Sequence, residues 1–174
     1  ANVAMQQRVG VPSLLVSDEE AFKSQIEAAK GAVDMVQLDL ADGKFVPNTT
    51  WPYQNPDEAQ KYIDIDFELH LMVSDPVKTL EPWKDNPRLK RILFHYEAVK
   101  DVNLTIRQLG NLDKDIGIVL NPKTPVDSLG PFLKSVPCVM FMGVEPGFQG
   151  QAFIPETLDR LKELKAKAPA MFVE

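Results

Sequence analysis

The sequence predicts an α/β protein built on a parallel sheet, and three observations carry that expectation. Apolar, β-branched runs alternate with longer amphipathic segments along the 174 residues, the pattern of βα units. Signals that start helices follow the runs. No composition shift or low-complexity linker interrupts the series, so a single domain over residues 1–174 is expected.

Strands are predicted at residues 9–15, 35–40, 67–72, 91–95, 116–120 and 139–142, with a seventh beginning at Met171. Ser17-Asp18-Glu19-Glu20 reads as a capping box in which Ser17 caps and Glu20 reciprocates. It precedes Phe22, Ile26 and Ala29, spaced along one helix face. Asn55-Pro56, Asp75-Pro76 and Thr124-Pro125 each place a capping side chain before a proline in the first helical turn. A last helix is expected over residues 155–167. Residues 1–5 read as an added leader ahead of a native Met5 and stand outside the fold. This series fits either an open doubly wound sheet or a (β/α)8 barrel.

The composition, 44% hydrophobic and 25% charged, is that of a folding domain. A net charge of −6 disfavours a nucleic-acid surface, which needs clustered Lys and Arg. It leaves room for a small anionic substrate held by backbone donors. The one cysteine, Cys138, lies in an apolar run and is expected to be a buried thiol in a reducing compartment. No stretch approaches the roughly 20 apolar residues of a membrane helix. A cytoplasmic protein without membrane or nucleic-acid partners is expected, with homo-oligomer formation left open.

Polar residues end the apolar runs: Ser13, then Gln37 and Asp39, then His70, then His95 and Glu97, then Asn121. In parallel α/β folds the carboxyl ends of strands are where sites are built. Gln37 and Asp39 are two residues apart and share one face of a strand, and His70 can reach the same space. Any one of these is more often a satisfied buried polar group than a catalyst; their recurrence at successive strand ends favours function. Met72 and Met142 end strands at the same mouth. Asp42 and Gly43 open a turn-rich segment and are read first as turn formers. The loop Gly143-Val144-Glu145-Pro146-Gly147-Phe148-Gln149-Gly150-Gln151 permits close backbone approach, and its N–H groups could cradle a phosphate.

These residues resemble the ribulose-phosphate 3-epimerase family. The likeness runs through Pro12-Ser13-Leu14-Leu15, Asp39-Leu40-Ala41-Asp42-Gly43-Lys44-Phe45-Val46-Pro47-Asn48 and Glu68-Leu69-His70-Leu71-Met72. It continues in Phe94-His95-Tyr96-Glu97, Leu120-Asn121-Pro122-Lys123-Thr124-Pro125 and Val144-Glu145-Pro146-Gly147-Phe148-Gln149-Gly150-Gln151. The resemblance decides for a (β/α)8 TIM barrel of the ribulose-phosphate-binding type, here strands one to six and the start of the seventh. It implies an isomerase that epimerises a ketopentose 5-phosphate at C3 through an enediolate, within the pentose phosphate pathway.

By the same resemblance Asp39 is a catalytic acid-base group. Ser13 and His70 match substrate-contacting positions and Gly147, Phe148, Gln149 and Gly150 a phosphate-binding loop, while Met72 and Met142 are read as substrate-facing from their place at the strand ends. The family's divalent metal (Zn, Fe or Mn) would fall to Asp39, His70 and the position of Gln37, with a further acid beyond Glu174, so that a continuing chain is expected. Gln37 stands where the family has a metal-binding His, and a neutral amide is the poorer ligand, so metal is expected to be weak or absent. Ala41 stands where a Met covers the substrate. The alternative expectation is a catalytically altered or non-catalytic sugar-phosphate binder. The Asp-x-Lys-x-x-Asp array of the orotidine-phosphate decarboxylase group does not fit, because position 41 is not a lysine.

Overall fold

The computed structural model describes residues 11–142 and 172–173. Seven parallel strands run β1 (Ser13–Leu14), β2 (Met35–Ala41), β3 (Asp66–Met72), β4 (Leu89–His95), β5 (Asp115–Leu120), β6 (Cys138–Phe141) and β7 (Phe172–Val173). They pair in sequence order, β1-β2-β3-β4-β5-β6-β7. A doubly wound sheet reverses its strand order at a switch point, whereas an unbroken order belongs to the wall of a (β/α)8 barrel. Helices α1 (Glu19–Lys30), α2 (Trp51–Gln54), α3 (Pro56–Tyr62), α4 (Pro76–Leu80) and α5 (Val102–Gly110) fill the connections, with 3-10 turns at Tyr96–Ala98 and Val126–Phe132.

Alternation along each strand sorts the side chains into two layers. Val36, Leu38 and Leu40 of β2 and Phe67, Leu69 and Leu71 of β3 join one large core with the helix residues Phe22, Ile26 and Ala59. The other face holds a smaller apolar cluster of Leu93, Val119, Cys138 and Met140, with Met142 against it. Cys138 is the buried thiol that the sequence suggests. Gly117 belongs to this inner layer for a steric reason. A Cβ there would lie 2.4 Å from Leu93 Cδ2 and 3.2 Å from Cys138 Cβ, so any side chain would push the inner wall apart.

Helix α1 buries Phe22, Ile26 and Ala29, as its spacing predicts. Burial of the first two contributes about 2 kcal/mol each. Trp83 is 1% exposed and meets Phe67 edge-on at 5.8 Å, a core role. The caps differ from expectation at three places. Asp18, not Ser17, caps α1 by accepting from the Ala21 N–H, because a carboxylate also complements the positive helix start. Asn55 makes no side-chain cap and instead donates to the Trp51 carbonyl of the short helix before it. Thr124 does not cap either; its hydroxyl is taken by Glu97. Asp75 caps α4 as expected, accepting from the Lys78 N–H. The expected helix over residues 155–167 lies outside the described residues. Among the described residues no helix is long and apolar enough to cross a membrane.

Candidate active site

The inner faces of β1 to β5 bring the strand-end polar residues together. Asp39 is 6% exposed, His70 2% and His95 0%. Ser13 Oγ donates to Asp39 Oδ2 at 2.8 Å. Gln37 Nε2 donates to Asp39 Oδ1 at 3.0 Å and to Ser13 Oγ at 3.2 Å. His70 Nδ1 lies 3.1 Å from the same Asp39 Oδ1. The carboxylate is thus held from three strands, each supplying a side chain from its inward face. Two of these partners, the Ser13 hydroxyl and the Gln37 amide, donate to it, as a buried carboxylate requires, and the tautomer of His70 decides the role of the third.

The chain of contacts continues past His70. Its Nε2 lies 2.7 Å from His95 Nε2, and the two rings stack with centroids 4.9 Å apart. His95 Nδ1 in turn faces Asn121 Oδ1 at 3.0 Å and, more distantly, Glu97 Oε2 at 3.8 Å. Burial pushes His95 down to about 4, and the neighbouring His70 ring adds to this; Glu97 and Asn121 act in the opposite direction. The ring is therefore neutral near pH 7. Burial by itself would raise the Glu97 carboxyl, but the contacts of His95 and the Thr124 hydroxyl and the Asn121 N–H outweigh it, so it lies below its ordinary value.

A loop closes over these rings. Asp42 accepts from the Lys44 and Phe45 N–H groups at 2.8 and 2.9 Å, and from the Ser74 N–H and hydroxyl at 2.9 and 3.1 Å. These donors outweigh the effect of burial and hold the Asp42 carboxyl low. Gly43 adopts φ 73, and a Cβ there would come within 2.9 Å of Thr49 Cγ2, so the turn requires glycine. The clamped loop lays the Phe45 ring 5.0 Å from that of His95. Asp42 is the turn former the sequence suggests, and it also ties the β2 loop to the β3 loop.

Among the expected site residues, Ser13, Gln37, Asp39 and His70 form one hydrogen-bonded group. Met72 is 1% exposed and packs with Ala41 and Val46 under the loop. Met142 stands beside the inner apolar cluster. Gly147, Phe148, Gln149 and Gly150 lie outside the described residues. His95 is the centre that sequence reasoning passed over. It was visible as a polar strand end, but nothing in the sequence showed that its ring would stack on His70.

The positions that the family resemblance assigns to a divalent ion do not fit one. Gln37 turns an N–H, not an oxygen, toward Asp39, and both Asp39 oxygens already accept hydrogen bonds. Among the described residues no group of three or more His, Cys, Asp or Glu side chains is arranged to hold a metal. What the group can do by itself is accept, hold and pass protons beside a set of N–H and O–H donors.

An unbroken parallel wall in sequence order is that of a (β/α)8 barrel, and the carboxylate, two imidazoles and neutral donors make a candidate site at its carboxyl face. The model of the Ribulose-phosphate 3 epimerase family matches residues 10–173, and the chain belongs to that family. It is 35% identical over 157 residues to ribulose-phosphate 3-epimerase 1 of Cupriavidus necator, covering 90% of this chain and 65% of that protein. It is 33% identical to the Synechocystis ribulose-phosphate 3-epimerase, covering 90% and 69%, and 32% identical to that of Escherichia coli, covering 94% and 73%. The chain thus spans about two thirds of the length of these curated relatives. The crystal structure of methylornithine synthase (PylB) shares the fold alone, with a TM-score of 0.58 at 15% identity over 90% of this chain and 54% of that one.

Proposed function

We propose that the protein epimerises a ketopentose 5-phosphate at C3, with Asp39 as one of its acid-base groups. The observation that carries this reading is the Asp39 carboxylate, buried at the strand ends and held by Ser13, Gln37 and His70, in a chain of the epimerase family. Asp39 would take the proton from C3. The C3–H electron pair would form the C2–C3 double bond, and the C2 carbonyl would become the enediolate oxyanion. A base acts on such a proton only within hydrogen-bond reach, and the oxyanion needs donors nearby. The Gln37 amide and the Ser13 hydroxyl, now pointed at Asp39, are close enough to turn to substrate oxygens. Return of the proton on the opposite face calls for a second acid.

Ser13, His70, Met72 and Met142 would contact the sugar, and the loop containing Gly147, Phe148, Gln149 and Gly150 would hold the phosphate. The same reading places the enzyme in the cytoplasm, within the pentose phosphate pathway, in keeping with a lone buried thiol and a net charge of −6.

The second reading, a sugar-phosphate binder that has lost turnover, is favoured by one observation: an amide at position 37 in place of a ligand. Conversion of ribulose 5-phosphate to xylulose 5-phosphate by the full chain separates the two. The epimerase reading expects turnover, and saturable binding without turnover supports the second.

A further inference from the structure

The His70 and His95 Nε2 atoms, 2.7 Å apart, must share one hydrogen between them. Two bare nitrogens would repel, and so would two N–H groups. Which ring donates is decided on the far side of His95. There Nδ1 faces the Asn121 amide oxygen at 3.0 Å and the Glu97 carboxylate at 3.8 Å. An amide can turn through half a revolution and offer its NH2 instead, so Asn121 alone leaves the choice open. A carboxylate offers no donor. At 3.8 Å Glu97 is too far for a hydrogen bond, but its negative charge, next to a ring with no solvent exposure, favours a proton on Nδ1. Glu97 is itself fixed: its Oε1 accepts from the Asn121 backbone N–H at 2.8 Å and from the Thr124 hydroxyl. The carboxylate therefore cannot swing away from the ring without releasing the start of the β5 loop.

We propose that Glu97 is a positioning residue of the site: it holds the proton of His95 on Nδ1, so that His95 Nε2 accepts from His70 and the Nδ1 edge of His70 is turned to Asp39. The consequence reaches the reacting end. With its Nε2–H given to His95, a neutral His70 presents its bare Nδ1 on the 3.1 Å edge that faces Asp39 Oδ1. Glu97 thus sets the direction of a four-member chain, Asn121–His95–His70–Asp39, without touching its far end.

His70 and His95 are the two histidines of the 174 residues, and His70→Gln and His95→Gln controls assign their rings in nitrogen-15 correlation spectra. In the native protein His95 is expected with Nδ1 protonated and Nε2 bare. Glu97→Gln, which keeps an oxygen for Thr124 but removes the charge, should give a mixture of tautomers. Glu97→Asp, which keeps the charge, should largely restore the native pattern. Nε2–H on His95 in the native protein overturns the assignment, and so does an unchanged single tautomer in a folded Glu97→Gln protein. Should that variant fail to fold, the native and Glu97→Asp spectra decide by the same criterion. A kinetic arm rests on the proposed epimerisation: Glu97→Gln should lower kcat about ten- to a hundredfold, the range for partners that orient a reacting group, with KM nearly unchanged. An unchanged kcat overturns the role, whereas no turnover in any form, native included, counts against the proposed function and leaves the spectra to decide this inference.

Discussion

The two ends of the inner strand faces hold buried polar groups of opposite character. Toward the strand starts, Arg91 Nη1 meets Glu68 Oε2 at 3.0 Å and Nη2 lies 3.7 Å from Asp115 Oδ2, with the Arg91 and Glu68 side chains 9% and 1% exposed. Toward the strand ends lie Asp39, His70, His95 and Asn121, and Ser13 and Gln37, in register with Glu68, reach up to Asp39. Glu68 and His70 are two residues apart on β3 and share its inner face, yet they belong to different chemistries. A guanidinium remains charged at any working pH and holds its partners in place without exchanging protons. At the other end, the carboxylate, the two rings and the hydroxyl are linked by hydrogen bonds along which a hydrogen can be given or accepted. Burial alone does not mark a site; what the buried groups can exchange does.

The largest expected effect tests the starting end. Arg91→Ala removes the guanidinium and leaves the buried Glu68 without it, which should cost about 3–5 kcal/mol and lower Tm sharply. An apolar pair in its place, Glu68→Leu with Arg91→Met, should recover most of that loss in urea unfolding. If Arg91→Ala melts with the native protein, the pair is not a structural tie and the contrast between the ends fails.

The next effect tests the finishing end by pH. His95 falls from 6.5 to about 4 on burial. A depressed histidine contributes stability that is fully present above 6.5 and is lost as pH falls through that window toward 4, amounting to roughly 3 kcal/mol. Glu97, held below its ordinary 4.5, adds its own loss only lower down. Urea unfolding from pH 7 to 4 should show this acid limb in the native protein and a flatter one in His95→Gln. Parallel curves would show that His95 is protonated as readily folded as unfolded.

A smaller effect concerns position 37. Gln37→His supplies an imidazole where an amide now donates to Asp39, and zinc affinity measured by calorimetry should rise by about ten- to a hundredfold. An equal affinity in both proteins would mean that Gln37 has no part in ion binding.

Much of this was legible in the sequence because it depends on period and position. The strand cores, the α1 face of Phe22 and Ile26, and the convergence of Ser13, Gln37, Asp39 and His70 follow from alternation along strands. The choice between an open sheet and a barrel did not, since six βα units fit both, and it took the family resemblance in the sequence and the observed strand order to settle it. The cap of α1 was ambiguous because Ser17 and Asp18 are adjacent and both can accept. Asn55 and Thr124 were misread because a cap is a local inference, whereas their partners, Trp51 and Glu97, are set by neighbouring turns. The importance of His95 was hidden for the same reason. It comes from β3, β5 and the Asp42-clamped loop all meeting one ring, which no single segment encodes.

The central claim, that Asp39 carries the C3 proton, is tested most directly by solvent exchange. Ribulose 5-phosphate incubated with the full chain in deuterium oxide should take up deuterium at C3, followed by proton NMR. Asp39→Asn, nearly isosteric and still able to hold Ser13, should reduce that uptake by about 10²–10⁴-fold, the range for loss of a general base, while phosphate binding persists. Undiminished exchange in a folded Asp39→Asn protein would remove Asp39 from the mechanism and contradict the account.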